Sequence, residues 1–236
     1  MSSLNILATS DVHSPKWFDQ FVREVERASY EPDLVILAGD MILKGRVDEY
    51  RKILDVLDKF KAPRVAVPGN EEYEELEDVI RERFEGELIF LSDETFTLEI
   101  KGFSVGIVGT RGSLEQPTYW QSKNIPNIGR IYSERVKVVD ELLSRLRADF
   151  RILVSHYSVT FRTLKGENPK IWRHLGHRGF ERVIERRRPD LVIHGHSHKG
   201  TKFARLGGIS VYNVAFPLWK ELVIIELGRE GLMEFF

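Results

Sequence analysis

Short apolar runs alternate with stripes of apolar residues at helical spacing in the first third of the chain. The runs at residues 4–8, 34–38 and 64–67 have the length of buried strands. Each is followed by apolar side chains that recur every three or four positions, as along one face of a helix. Ser14 and Pro15 suit a helix cap and a first helical position, so they predict where the first helix begins. This alternation predicts a parallel sheet with right-handed crossovers.

The pattern changes in the middle of the chain. Two apolar stretches, 95–100 and 105–108, flank Lys101-Gly102 and predict a β-hairpin. Residues 112–130 and 158–178 lack a period and predict long loops, which often carry function. The remaining pattern predicts helices at 136–146 and 180–187 and strands at 152–155, 191–193, 202–206, 209–214, 222–227 and 232–236. The predicted fold class is therefore α/β, and we expect one domain over residues 1–236.

Composition narrows the class of protein. The chain has 236 residues, 42% of them hydrophobic, which is enough for one substantial core. Its 35 Lys and Arg residues are balanced by 36 acidic residues, so we expect a small substrate rather than extended nucleic acid. We expect a soluble, cytoplasmic protein, because no apolar run approaches the ~20 residues of a membrane span and no leader is recognisable. Homo-oligomer formation stays open.

Polar residues with metal-binding side chains follow the predicted strands. In an open α/β sheet the carboxyl ends of the strands share one rim, so residues far apart in sequence meet there. Since the chain has no cysteine, a transition metal must bind nitrogen and oxygen donors. The candidate ligands are Asp11, His13, Asp40, Asn70, His156, His196 and His198. Seven donors exceed the needs of one ion and predict a two-metal site.

Each of these motifs also has an ordinary structural interpretation. An isolated Asp-x-His arises by chance, and Gly-Asp or Gly-Asn alone is more often a turn. Gly-His-Ser-His directly after an apolar strand is more specific, because two nearby imidazoles in a glycine turn have little structural purpose. The metal-site hypothesis depends on all five clusters falling in this order at strand ends.

At these positions the sequence resembles the calcineurin-like metallophosphoesterase family, and within it the small prokaryotic predicted phosphoesterases. The family motifs are Asp-x-His, Gly-Asp, Gly-Asn-His-Asp/Glu, a lone His and Gly-His-x-His. The resemblance implies two ligand sets that share Asp40 as a bridge. The first set is Asp11, His13, Asp40 and His198, and the second is Asp40, Asn70, His156 and His196. It also implies a four-layer α/β/β/α sandwich of two mixed sheets with flanking helices.

The implied reaction is hydrolysis of a phosphate mono- or diester by a hydroxide that bridges two divalent ions. Manganese is our first choice of metal, with iron, zinc, nickel or cobalt as alternatives. Asp40, Asn70 and His196 are the ligands that we take as catalytic. Other functions that the sequence leaves open are a non-catalytic metal-binding scaffold for protein contacts, a nuclease of the same family, and a hydrolase of other esters or amides.

The chain departs from the family pattern at Glu71, where the family has the His that contacts phosphate and protonates the leaving oxygen. A carboxyl group beside two cations should have a depressed pKa, so Glu71 is a poor acid and diesters with good leaving groups are favoured. Candidate substrate contacts, besides Glu71, are His174, His177, Arg130 and Arg162, all of which we place in the long loops or at their ends.

Overall fold

The structure is a computed structural model that describes residues 3–228, so the strand predicted at 232–236 lies outside the described residues. The described strands are β1 (Leu4–Thr9), β2 (Leu34–Leu37), β3 (Arg64–Ala66), β4 (Ile89–Phe90), β5 (Glu94–Ile100), β6 (Phe103–Thr110), β7 (Phe150–Ser155), β8 (Leu191–His194), β9 (Phe203–Leu206), β10 (Ile209–Asn213) and β11 (Val223–Leu227). The helices are α1 (Phe18–Arg27), α2 (Asp48–Leu57), α3 (Glu77–Arg83), α4 (Tyr119–Asn124), α5 (Ile128–Arg145), α6 (Gly179–Arg187) and α7 (Phe216–Trp219). Short 3-10 turns occupy Glu74–Leu76, Phe161–Leu164 and Pro169–His174.

The strands form two mixed sheets. The first has the order β11-β1-β2-β3-β4, in which β11 is antiparallel to β1 and the other pairs are parallel. The second has the order β5-β6-β7-β8-β10-β9. Its inner pairs are parallel, whereas β5 and β9 add antiparallel strands at the two edges. The parallel strands of each sheet direct their carboxyl ends to one rim, which places the polar loops together.

The two sheets pack face to face, and the helices cover their outer faces. Alternate residues of each strand point to opposite faces, so Ile6 of β1 and Ile107 of β6 belong to the core between the sheets. Leu7 faces outward instead and packs with Phe21 of α1. On the other sheet, the outer core includes Phe180 of α6. Each such fully buried side chain stabilises the fold by about 1.5–3 kcal/mol. The predicted four-layer α/β/β/α sandwich is therefore confirmed.

The first helix does not begin where the sequence predicted. It starts at Phe18, and the hydroxyl of Ser14 donates to Glu49 at 2.6 Å instead of capping the helix. The residues before α1 are held by the loop after β2, because the backbone N–H groups of His13 and Ser14 donate to the carbonyls of Asp40 and Met41. The prediction failed because contacts with another loop outweigh the local capping preference.

The long loop predicted at 112–130 is partly helical. Thr118 and Gln121 form a reciprocal capping box that starts α4, and α5 begins at Ile128 rather than near residue 136. The chain after β8 also contains α7, so the expectation of strands alone in that region is wrong. The hairpin at Lys101-Gly102 is confirmed, with β5 and β6 paired across it.

Candidate metal centre

The predicted ligands meet at the rim. His198 Nε2 lies 2.9 Å from Asp11 Oδ1. On the other side of the centre, His156 Nε2 lies 3.5 Å from Asp40 Oδ2 and 3.3 Å from Asn70 Oδ1. The structure brings all seven predicted side chains into one cluster. Two groups of carboxylate and imidazole donors lie closest together within it. One group is Asp11, Asp40, His156 and His196, and the other is Asp11, His13 and His198.

Both carboxylates occupy central positions. Within the two compact groups, the shared residue is Asp11. Asp40 Oδ2, however, lies 3.9 Å from His13 Nδ1 and 3.5 Å from His156 Nε2, so one oxygen faces an imidazole of each expected ligand set. The other oxygen of Asp40 accepts the N–H of Glu71 at 2.8 Å. Asp40 Oδ2 therefore lies between the imidazoles of His13 and His156, which belong to the two expected ligand sets.

Several of these residues have an unusual backbone conformation. Asp11, His13, Asp40 and His196 have φ angles of 58°, 46°, 52° and 68°. Left-handed conformations are uncommon for residues other than glycine and tend to cluster at functional sites. These four strained residues lie in three loops, after β1, β2 and β8, and all four are candidate ligands.

The motif glycines permit the loops to pack closely. A Cβ atom on Gly39 would lie 2.6 Å from His156 Nδ1, and one on Gly195 would lie 2.6 Å from Asp11 Oδ2. A Cβ on Gly69 would collide with the backbone and side chain of Asp40. A side chain at these positions would push apart the segments that carry the ligands, which explains the glycine before Asp40, Asn70 and His196.

Sequence reasoning assigned no role to Glu72, which the structure places beneath the centre. Its buried carboxylate accepts the N–H groups of Asp40 and Gly69, each at 2.8 Å, and of Met41 at 2.9 Å. Burial and the charge of Asp40 raise the pKa of Glu72 to about 7. Glu72 therefore ties the Gly-Asp loop to the Gly-Asn loop. The acidic residue two positions after Asn70 was its signal in the sequence.

Arg111 is a second residue that the sequence did not reveal. It is buried after β6, and its guanidinium donates to the carbonyls of Gly69 and Glu72, the latter at 2.8 Å. It also pairs with Glu77 at 2.6 Å. Arg111 therefore fixes the backbone on both sides of Asn70.

Charges in the centre are strongly coupled. Burial by itself raises the pKa of Asp11, but the hydrogen bond from His198 and the nearby imidazoles hold it well below its ordinary value. Burial lowers the pKa of His156, yet the Asp40 carboxylate opposes this effect and brings the pKa to about 9. Burial lowers the pKa of His196 to about 3, so its ring is neutral at pH 7. Because an imidazole binds metal through a deprotonated nitrogen, a metal ion in this centre would compete with a proton on His156.

The donor set fits divalent transition-metal ions. Nδ1 of His156 donates to the carbonyl of Ala38 at 2.9 Å, which leaves Nε2 as the ligand atom. The buried Nδ1 of His13 faces Asp40 and forms no hydrogen bond with any of the described residues. A cation between these groups would satisfy the orphaned nitrogen. Imidazole and carboxylate donors with one amide oxygen suit manganese, iron, cobalt, nickel or zinc.

A cavity of about 840 Å³ opens beside the centre, and Asn70 and His196 form part of its wall. His174 also lines it and donates from Nδ1 to the carbonyl of Gln116 at 2.8 Å, so Nε2 remains for a ligand. His177 is not among the lining residues. Its Nδ1 accepts the N–H of Gly179 at 2.9 Å at the start of α6, where that N–H is unavailable to an anion.

The other candidate substrate contacts bond to the protein. Glu71 accepts the N–H of Lys44 at 2.6 Å, so its carboxylate stabilises the loop after β2. The expected loop position of Arg130 is wrong: it lies on α5, is exposed and pairs with Glu134 at 2.8 Å. Arg162 is exposed in a 3-10 turn and donates to the carbonyl of Arg205 at 2.8 Å. Neither arginine lines the cavity.

One family accounts for this arrangement. The profile of the calcineurin-like phosphoesterase family matches residues 4–200. The chain belongs to this family. A curated relative, named probable glycerophosphodiester phosphodiesterase of Arcobacter nitrofigilis, is 24% identical over 151 residues, which are 64% of this chain and 51% of that protein. The chain thus matches about half the length of this curated relative.

Solved structures support the fold. Phosphopantetheinyl hydrolase from Mycobacterium tuberculosis has a TM-score of 0.67 at 18% identity, covering 89% of this chain and 88% of that protein. A protein from Thermus thermophilus has a TM-score of 0.58 at 17% identity, with 94% and 98% covered. At these identities the likeness concerns the fold alone. In the part of the chain that the structure describes, no helix is long and apolar enough to cross a membrane.

Proposed function

We propose that the chain hydrolyses phosphate mono- or diesters with two divalent ions, and that it favours diesters with good leaving groups. The observation that carries this proposal is the convergence of seven nitrogen and oxygen donors at one rim in a member of this family. The phosphodiesterase name of the Arcobacter relative supports the diester preference. The expected metal is manganese, with iron, zinc, nickel and cobalt as alternatives.

The ligand assignment follows the family motifs. Asp11, His13 and His198 would hold one ion, and Asn70, His156 and His196 would hold the other. Asp40 would serve both ions, and the position of its Oδ2 near an imidazole of each set supports this role. When bound, the two ions lower the pKa of a coordinated water toward neutrality and offset charge on the phosphate oxygens.

The chain itself orients these groups. Glu72 and Arg111 fix the loops that carry Asp40 and Asn70, and the Ala38 carbonyl holds the His156 ring in the tautomer with a free Nε2. His174 lines the cavity beside Asn70, and we propose that its doubly protonated ring donates the Nε2 proton to the departing oxygen, since Nδ1 is held by the Gln116 carbonyl.

Metal reconstitution combined with an ester panel tests the function. The purified protein is stripped with chelator, reloaded with manganese, zinc, nickel or cobalt, and assayed on p-nitrophenyl mono- and diesters. We expect two ions per chain by elemental analysis and activity that returns with metal. A saturating content of one ion or fewer would refute the dinuclear assignment, and full activity without metal would refute the mechanism.

A non-catalytic scaffold is the alternative from another class. The Glu71 carboxylate, which bonds to Lys44 N–H instead of facing the cavity, is the observation that favours it. Two bound ions without turnover of any phosphate ester would support the scaffold. We further propose a small substrate and a cytoplasmic location, which a fluorescent fusion of the full chain would test.

A further inference from the structure

The cavity beside the candidate centre has walls of distinct chemistry. Asn70 and His196 form the end that adjoins the metal ligands. The opposite walls come mainly from α4, from the start of α5 and from the segments that precede them. Its apolar and aromatic lining comprises Tyr73, Leu114, Trp120, Ile125, Ile128, Ile131, Tyr132 and Tyr157. At about 840 Å³ the cavity falls within the range of small-molecule sites, roughly 300–1,000 Å³.

Large apolar side chains remain exposed on this surface. Trp120 is 65% exposed, Tyr73 is 40% exposed and Ile131 is 39% exposed. All three line the cavity, although they belong to three different segments of the chain. Beneath them, Ile128 and Tyr132 pack with other apolar residues and hold this part of the wall in place. Clustered exposed apolar surface beside a polar centre is typical of a ligand-binding groove.

The two guanidinium groups that line the cavity are already engaged by the protein. Arg111 pairs with Glu77 and donates to two backbone carbonyls. Arg135 pairs with Asp93 at 2.7 Å and donates to the carbonyl of Gly112 at 3.2 Å. The exposed carboxylates of Glu74 and Glu75 lie in the same wall. This region therefore disfavours a ligand part that carries further negative charge.

We infer that this cavity binds a bulky apolar substituent of the phosphate ester, either an aromatic ring or an alkyl chain, without a second anionic group. The inference rests on the proposed function, because it places the phosphate at the metal ligands and the ester substituent against Trp120 and Ile131. It names the substrate class of the same site. This chemistry disfavours nucleotides with additional phosphates and polynucleotide chains.

A homologous series of diesters tests the inference. Methyl, butyl, hexyl and octyl p-nitrophenyl phosphates, with a naphthyl p-nitrophenyl ester, share one leaving group, so differences in kcat/KM report the retained substituent. We expect kcat/KM of the metal-loaded protein to rise about two- to fourfold per buried methylene, until the cavity is filled. A better response to naphthyl than to octyl would identify the ring as the occupant, and the reverse would identify the chain.

Matched variants locate the binding surface. Trp120→Ala and Ile131→Ala each remove a lining side chain, and together they should reduce the ratio of octyl to methyl kcat/KM about tenfold or more. Tyr119→Ala on α4 and Val138→Ala on α5 are the controls, since both residues are exposed but do not line the cavity. Equal changes in the ratio for lining and control variants would overturn the assignment.

Charge provides a separate test of the acidic wall. An ester with a terminal carboxylate on its alkyl chain should be a poorer substrate than the uncharged chain of equal length. Glu74→Gln with Glu75→Gln should recover several-fold of that loss at low salt, whereas Glu82→Gln, an exposed carboxylate outside the cavity, should not. Equal rates for the charged and uncharged chains would show that this wall does not exclude anions.

Binding without turnover separates this inference from the proposed function. Calorimetry with octylphosphonate and methylphosphonate should show tighter binding of octylphosphonate and a more negative heat-capacity change. A kcat/KM that is flat along the series, with equal affinities for the two phosphonates, would overturn the inference while phosphoesterase activity stands. Tighter octylphosphonate binding in a protein that cleaves no ester would keep the apolar site and refute the hydrolase.

Discussion

Asp40 illustrates how a single side chain can serve the whole centre. One carboxylate oxygen accepts the Glu71 N–H, and the other faces imidazoles from both expected ligand sets. The backbone N–H of Asp40 is in turn held by Glu72. Its position is therefore fixed from two sides before any ion binds, as effective metal centres require.

Asp40→Asn should cost more activity than His13→Ala or His156→Ala. An amide oxygen lacks the charge that holds two cations together, so we expect more than the roughly 10- to 100-fold loss typical of supporting residues. The measurement is kcat/KM with metal content for each variant. Comparable losses for all three variants at unchanged metal content would remove Asp40 from the bridging role.

We propose that His174, rather than Glu71, protonates the leaving oxygen. Because Glu71 bonds to Lys44 N–H, Glu71→Gln should leave the dependence of rate on leaving-group pKa unchanged. His174→Ala should steepen that dependence, since it removes a proton donor that lines the cavity. A series of substituted phenyl diesters under one metal condition measures the slope.

The matched control for this series is His177→Ala, because His177 lies outside the cavity and caps the start of α6. Its slope should equal that of the parent protein. If His174→Ala and His177→Ala give the same slope as the parent, neither imidazole is the acid. Glu71→His should flatten a steep parent slope by restoring the residue type that is usual in the family.

At the scale of elements, the sequence predicted the strands and helices that are long enough to show a local pattern of apolar residues. Buried strands such as β1 and β2 were recognisable because they form short runs that are mostly or entirely apolar. The elements that were missed, β4, α4 and α7, span two, six and four residues, too short for a period to emerge. The error at Ser14 has a different cause, because its hydroxyl found Glu49, a partner 35 positions away.

The contact between α5 and α6 includes an ion pair that can be tested. Asp140 accepts from Arg187 at 2.8 and 3.0 Å and lies 2.7 Å from Arg186. The hydrogen bond from Arg187 lowers the pKa of Asp140. Asp140→Asn should reduce the free energy of unfolding by about 1 kcal/mol or less at pH 7, because these side chains are partly solvated. Urea denaturation, which does not screen charge, is the measurement.

The pH dependence of that difference follows from the direction of the shift. A carboxyl group with a lower pKa in the folded state contributes stability above its unfolded pKa of about 3.9. This contribution is lost as the pH falls through the folded value, so the parent and Asp140→Asn should converge below about pH 4. Glu141→Gln on the same helix is the control, since its pair with Arg145 is exposed and should change little. A difference that persists at low pH would indicate a packing effect.

At the scale of the molecule, the sequence predicted which polar side chains meet at the rim far better than it predicted the cavity beside them. Ligands follow strands, and the rim of a parallel sheet collects them by a general rule. The cavity instead depends on how Tyr73, Trp120 and Ile131 approach from segments that no local pattern relates. Arg130 shows the same limit. The sequence predicted a loop at this position and a helix from residue 136, whereas α5 already begins at Ile128 and places Arg130 in its first turn.

A bound metal ion should affect the apolar cores and the polar rim differently. The apolar clusters lie between the sheets and beneath the helices, so they do not require an ion. The rim differs, because the carboxylates of Asp11 and Asp40 are buried there with ligand atoms within 4.8 Å of one another, and a cation would offset their repulsion. We therefore expect chelation to abolish activity while the far-ultraviolet circular dichroism and cooperative unfolding persist.

Metal should nevertheless stabilise the folded state by mass action. Free metal at 100 times its dissociation constant contributes about 2.7 kcal/mol for each site, so two independent sites contribute about 5 kcal/mol, and a chain of this size gains about 2–4 °C per kcal/mol. The expected rise in Tm is therefore about 10–20 °C for two ions, measured by calorimetry of chelated and manganese-loaded protein. Asp40→Asn should show a smaller rise at the same free metal concentration, because it binds the ions less tightly. Loss of secondary structure on chelation would show that the fold depends on metal, and an unchanged Tm would show that the folded rim binds none.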